Sequence, residues 1–567
     1  LLGREGQVLD DVLVQRLAPD ARGRDRFLMA VHNAHAGRVK AWLRGLADGY
    51  LLFDPDDIFA KVEGPAVVVD LTTDALGDDR AELATAAEQF LRAAAVQGND
   101  GPLADPHADP LTGLDLYQMG HQDLFALQKT YFVGQKSLRS VVAPREEKRE
   151  WSWQEQEGPL KRSCLYEEHR KLTRHLVPFA GWEMPVRYTG VSEEHQAARA
   201  TAALFDVSHM GVLGVNGPNA TSFLDTVTTN YVRWLEDGQS QYSYLLDPDG
   251  GVIDDIMVYR RQADDYILVV NAANWDKDWD WLNAVNRNEV ILDRENPFKS
   301  IEGPAVLRNL KDPALGPEQK VDIALQGPNS RVILQRLAFH DAETGQKLQL
   351  LPRAALMDAR VAGLEVIISR TGYTGEAVGY EIFVHPDEAP RLWNAILETG
   401  ADLGVKPAGL AARDSTRTEA GLPLYGHELA GAYNIGPAEC GFASYVKLHK
   451  PFFVGRKAYV EKLHTSPMTV IRFRMDDKGV RPPKEGDPVV NRHGRCIGWV
   501  TSCVADSEGY LVGMAYVEKR YAEVGSSIGI FNLRRKPKAE VANIQLGDEV
   551  LLHNWATILP RFMRRRD

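Results

Sequence analysis

The residues best suited to chemistry in this 567-residue chain lie in four short segments. The first, GGVIDDIMVY (Gly250–Tyr259), carries two adjacent aspartates in an apolar run. Neighbouring strand residues point to opposite faces, so Asp254 and Asp255 are not expected to enter one pocket. A carboxylate there is costly unless it accepts hydrogen bonds or has a chemical task. In VVNAANWDKDW (Val269–Trp279), Asn271 ends an apolar strand. Its amide can cap the following helix or read a polar ring through paired donor and acceptor atoms. ISRTGYTGEAVGYEIFV (Ile368–Val384) holds three glycines within eight residues, a loop that brings backbone and Tyr373 close to a neighbour, with Glu381 on the next strand. A plain turn between strands is the alternative; no GK[ST] follows, so it is not a phosphate-binding loop. In GLAARDSTRTEAGLPLYGHEL (Gly409–Leu429), Arg413 and Arg417 sit four apart on a predicted helix that Gly421 and Pro423 should end. Like charges at that spacing repel unless an anion or carboxylate lies between them, and Asp414 and Glu419 could supply an ion-pair network.

These segments need elements to position them. Gly211–Asn216, Gln241–Leu246, Val252–Tyr259 and Tyr266–Val270 read as strands; Ser192–Ala203, Asn274–Ala284 and Ala389–Thr399 read as helices. Past Ser466 the chain is rich in β-branched residues and turns, as a small barrel-like β-domain would be. The pattern favours α+β. GVLGVNGPNA (Gly211–Ala220) spaces its glycines poorly for a dinucleotide fingerprint. The Arg561–Arg565 end reads as a frayed basic tail.

Composition narrows the class. With 66 basic and 78 acidic residues the net charge is −12, which argues against nucleic-acid and anionic-membrane binding. Four cysteines with no CxxC pair point to a reducing, cytoplasmic setting without structural zinc, and the histidines form no HExxH. No apolar run is long enough to cross a bilayer. The chain begins with Leu1, so a targeting segment stays open.

An internal repeat organises the chain. LLGREGQVLDDVLV (Leu1–Val14) and LLDPDGGVIDDIMV (Leu245–Val258) agree at seven of fourteen positions. FLMAVHNAHAGRVKAWL from Phe27 matches YILVVNAANWDKDWDWL from Tyr266, and the offset continues to VEGPAVVVDL (Val62–Leu71) against IEGPAVLRNL (Ile301–Leu310). KTYFVGQKSL (Lys129–Leu138) then matches KPFFVGRKAY (Lys450–Tyr459). The first copy lacks the middle of the second. The expected division is a truncated α+β repeat over 1–142, an exposed linker over 143–162, a complete copy over 163–465 and a β-barrel over 466–567.

Taken together, LYEEHRKL (Leu165–Leu172), VPFAGWEMPVRY (Val177–Tyr188), ALFDVSHMG (Ala203–Gly211), YSYLLDPDGGVIDDIMVY (Tyr242–Tyr259), VVNAAN, LQGPNS (Leu325–Ser330), SRTGYTGE, the ARD segment and FFVGRKA resemble the aminomethyltransferase family, the T-protein of the glycine cleavage system. The resemblance implies a three-domain cloverleaf α+β fold around a tetrahydrofolate channel, ending in a β-barrel. It places Asp255 beside the reactive edge of the folate as the catalytic residue. Tyr242, Asn271, Tyr373, Glu381 and Arg413 are implied to line the cofactor site. A lipoylated carrier protein is the implied donor. A demethylase acting on a small N-, S- or O-methyl donor, or a non-catalytic folate-binding protein, would share the fold; the latter's KGC loop is absent from HKPFFVG (His449–Gly455).

The chain departs from the family pattern in three places. The loop Glu376–Glu381 carries an extra residue, TSCVADSEGY (Thr501–Tyr510) replaces the usual barrel turn, and the first copy keeps Asp10 and Asp11 but has His32 where the second has Asn271. That copy is expected to form no full folate site and to be a structural or interaction module.

Overall fold

The computed structural model describes Leu1, residues 9–19, 25–32, 34–47, 66–68, 71, 85–87 and 89, and 148–563 apart from 156–157, 298, 534–543 and 551–552. These fall into two compact units. The first takes Leu1–Glu150, Val290–Glu302 and Leu448–Phe452; the second takes Trp151–Glu289, Gly303–Lys447 and Phe453–Asp567. The repeat match at Lys129–Leu138 lies outside the described residues.

In the first unit, strands Leu13–Leu17 and Arg26–Ala30 pair antiparallel, and the helix Ala36–Ala47 follows. Its Val39 and Leu46 are buried, as is Leu28 of the second strand.

The second unit carries the site. A five-stranded antiparallel sheet contains Gly211–Asn216, Gln239–Leu246, Val252–Gln262, Asp265–Val270 and Val306–Asn309. A six-stranded sheet runs, in spatial order, Leu356–Val361, Leu364–Ser369, Gly379–Val384, Val321–Gln326, Ala202–Asp206 and Val405–Ala408, the last pair parallel. Val212, Tyr259 and Ile267 of the first sheet bury against Ile367 and Phe383 of the second. Six further strands between Met468 and Leu559 close a barrel around Phe473, Ile497, Val517 and Ile558. Mixed, mainly antiparallel sheets with segregated helices are the expected α+β architecture. No helix among the described residues is long and apolar enough to cross a membrane.

Two expectations need correction. The helix predicted to run to Ala203 ends at Ala200, because Ala202–Asp206 is a wholly buried strand of the six-stranded sheet. The basic end is anchored where it is described: Arg561 donates from Nη2 to the Cys440 carbonyl (2.7 Å) and from Nη1 to that of Gly421. Those carbonyls hold the guanidinium, so Arg561 does not fray; Arg564 and Arg565 lie outside the described residues.

Candidate active site

Asp255 lies on the long strand Val252–Gln262 and is half-buried beside the fully buried Asp254. The hydroxyl of Tyr242, on the neighbouring strand, donates to Asp255 Oδ2 (2.8 Å). The Asn271 amide donates to Asp255 Oδ1 (2.8 Å) and also to Asp254 Oδ1 (2.8 Å). One side chain thus bridges two carboxylates that strand alternation would have separated. The pairing with Gln239–Leu246 shifts register at Leu245/Leu246, opposite Asp254 and Val252, and such a bulge re-aims the adjoining side chains. Burial and the neighbouring Asp254 charge push the Asp255 carboxyl up to about 7.

Asn271 does not cap the following helix Trp275–Asn286. Asn274 occupies that position, and its amide turns to Asp254. The Asn271 backbone N–H also donates to Asp254 Oδ2 (2.9 Å). Asp254 is therefore the structural aspartate of the pair, its acceptors filled from the strand end, while Asp255 faces Tyr242. The Tyr242 ring packs edge-on to Tyr244 and Tyr445, at 5.1 and 5.0 Å between centroids.

The glycine loop sits where its spacing suggested. A Cβ on Gly372 or Gly379 would strike the Gln326 side chain, and one on Gly375, at φ +82°, would strike Ala420. The extra-residue stretch is fastened by Arg199, which donates to Glu376 (2.7 Å), Glu419 (2.7 Å) and the Thr374 carbonyl (2.8 Å). The Tyr373 hydroxyl donates to the Pro423 carbonyl, and the Arg413 guanidinium lies 5.5 Å from the Tyr373 ring centroid. Glu381, on Gly379–Val384, accepts from Tyr259 (2.7 Å) and Thr371, both at Oε2. Its Oε1 takes no hydrogen bond among the described residues. Asp322, on the paired strand Val321–Gln326, is driven well above the usual carboxylate range by burial and then by the Glu381 charge.

The two arginines of the helix Leu410–Ala420 diverge. Arg417 is buried and donates to Asp414 (2.8 Å), Glu428 (2.6 Å) and Ser502 (2.9 Å). Arg413 makes no hydrogen bond or ion pair among the described residues, so its donors are available. The barrel segment Thr501–Tyr510 also reaches this helix: Ser507 donates to Glu419 from its hydroxyl (2.9 Å), while Ser502 donates to Glu428 (2.6 Å) on the loop that follows it.

His209 had no role assigned from sequence, although it lies within the ALFDVSHMG segment. It is buried, neither ring nitrogen has a partner among the described residues, and burial followed by the Arg413 charge pushes it down to about 3. A lone histidine carries no sequence signal of its own. The structure thus brings Tyr242, Asp255 and Asn271 into direct contact and Tyr373 against Arg413, with Glu381 on the adjoining sheet.

Comparison with known proteins shows the family of the chain. Residues 165–450 match the GCVT N-terminal domain family, and 469–545 match the glycine cleavage T-protein C-terminal barrel domain. An aminomethyltransferase of Desulforamulus reducens is 38% identical over 380 residues, spanning 67% of this chain and 95% of that protein. One from Symbiobacterium thermophilum is 40% identical over 387 residues, spanning 67% and 96%. The crystal structure of the glycine cleavage system aminomethyltransferase T from Bartonella henselae aligns with a TM-score of 0.57 at 29% identity, over 71% of this chain and 97% of that one.

Proposed function

The chain belongs to the glycine cleavage T-protein family and is an aminomethyl-transferring enzyme; we propose that it passes the aminomethyl group from a lipoylated carrier protein to tetrahydrofolate in the cytoplasm. The observation that carries this reading is the half-buried Asp255, held at both oxygens by Tyr242 and Asn271. When bound, the folate supplies the ring nitrogen that accepts the one-carbon unit.

The groups left unpaired suit a flat ring rich in N–H and carbonyl groups. Glu381 Oε1 would accept from ring or amino N–H groups, and the Arg413 fork would donate to a carbonyl or carboxylate oxygen. The faces of Tyr373 and Tyr242 would flank the ring. Asp255, once ionised, stabilises positive charge developing at a neighbouring nitrogen and can hold a proton there. Its two hydrogen bonds fix the carboxylate before reaction, so little reorganisation is needed.

Residues 1–142 are, in this reading, a shortened copy of the same fold. Support comes from the first hairpin: Leu13↔Ala30, Val14↔Met29, Gln15↔Leu28 and Arg16↔Phe27 repeat the register of Met257↔Val269, Val258↔Leu268, Tyr259↔Ile267 and Arg260↔Tyr266 at the sequence-matched positions.

Glu381→Gln tests the folate assignment. Tyr259 and Thr371 keep an acceptor, but an NH2 replaces the free oxygen. Loss of a charge-assisted bond of about 1.5–3 kcal/mol should weaken tetrahydrofolate binding by about ten- to a hundredfold, read by calorimetric titration. Unchanged affinity would remove Glu381 from the site.

A further inference from the structure

The first unit repeats the Asp254 arrangement with different chemistry. Asp10 Oδ2 accepts from the backbone N–H of His32 (2.9 Å), as Asp254 Oδ2 does from that of Asn271 (2.9 Å). Asp10 Oδ1 then lies 2.7 Å from His32 Nδ1 and 3.1 Å from His35 Nδ1, whereas Asp254 Oδ1 takes the amides of Asn271 and Asn274. Two imidazoles stand where the second copy has two amides. An amide nitrogen can only donate here. A neutral imidazole nitrogen can instead offer a lone pair.

We propose that Asp10, His32 and His35 bind a divalent first-row transition ion of the zinc class. One ligand atom from each lies within 4.8 Å of the others. Bonds of about 2.0–2.1 Å in a tetrahedral site set ligand atoms roughly 3.4 Å apart; Asp10 and His35 already stand near that spacing, and His32 needs only a small outward shift. The Asp10 side chain is 1% exposed while those of His32 and His35 are 59% and 49% exposed, so the carboxylate is fixed and the ion has a way in. Asp11 Oδ1, 3.2 Å from His32 Nδ1, can supply a fourth ligand or orient the ring. Imidazole donors favour this class over calcium or magnesium, which take oxygen ligands. The ion would pin the hairpin to the start of the helix Ala36–Ala47, the task the asparagine amides perform beside Asp254.

The test is equilibrium dialysis of the tag-free full chain against Zn2+, with Co2+ absorption as the report on ligand geometry. The comparison is the double variant His32→Asn/His35→Asn, which installs the pair the fold already accepts beside Asp254. The wild type should take up one more equivalent of Zn2+ than the variant, show tetrahedral Co2+ bands that the variant lacks, and melt higher with Zn2+ present. Aminomethyl transfer and circular dichroism should match in the two proteins. Equal metal uptake by wild type and a folded variant would overturn the proposal. Should the double variant not fold, Asp10→Asn is judged by the same difference.

Discussion

Replacing Asp255 with Asn removes a charge while leaving its neighbours satisfied. The Asn271 amide, 2.8 Å from Oδ1, can donate to the new carbonyl, and the Tyr242 hydroxyl can turn to accept from the new NH2. What is lost is the interaction with positive charge developing in the transition state. A unit charge about 4 Å away at an effective dielectric near 20 contributes about 4 kcal/mol, close to a thousandfold in rate. Deleting comparable preorganised groups elsewhere costs about a hundred- to a thousandfold. We therefore expect turnover with a loaded lipoyl carrier to fall by two to three orders of magnitude, with tetrahydrofolate affinity nearly unchanged. Stability moves the other way. The Asp255 carboxyl is raised from 3.8 to about 7 in the folded chain, so its contribution is complete below pH 4 or so and is lost as the pH climbs through about 7. The variant is uncharged throughout and should melt at or above the wild-type temperature at alkaline pH. Turnover within about twofold of wild type in a folded variant would refute the electrostatic role.

Three further outcomes follow from the same geometry. The pH dependence of kcat/KM should show an acidic limb near 7 that Asp255→Asn abolishes; Asn271→Ala, which strips a donor from both carboxylates, should move that limb to higher pH, and an unmoved limb would detach it from Asp255. Arg417→Met leaves the buried Glu428 without its cation and should cost about 3–5 kcal/mol in urea unfolding; a loss below about 1 kcal/mol would contradict a shared buried pair. Gly375→Ala forces a side chain into a left-handed backbone against Ala420, so KM for the folate should rise more than kcat falls as Tyr373 is displaced; unchanged KM would show that the loop does not position Tyr373.

Much of this site was legible in the sequence because it depends on local pattern. The four strands around Asp255 and Asn271 follow from alternation and β-branched runs, and Gly421 at φ +82° ends its helix as the sequence suggested. The glycines of the TGYTGE segment were marked as a close approach, and they pack on Gln326 and Ala420. Tertiary detail was hidden. No pattern separates Arg413 from Arg417, four residues apart on one helix; Asp414, Glu428 and the barrel's Ser502 engage one and leave the other available. The bulge that lets Asn271 reach both aspartates depends on strand pairing, which alternation alone does not encode. Ser502 and Ser507 became visible only when the barrel closed against the helix Leu410–Ala420. His32 and His35 gave no metal signature because their carboxylate is distant in sequence and joins them only through the hairpin.

The central claim is tested most directly by identifying the product. The purified chain is mixed with tetrahydrofolate and an aminomethyl-loaded lipoyl carrier, and in parallel with small N-, S- and O-methyl donors, and the folates are analysed by mass spectrometry. Methylene-tetrahydrofolate and ammonia are expected from the carrier alone. Methyl-tetrahydrofolate from a small donor, with no product from the carrier, would contradict it.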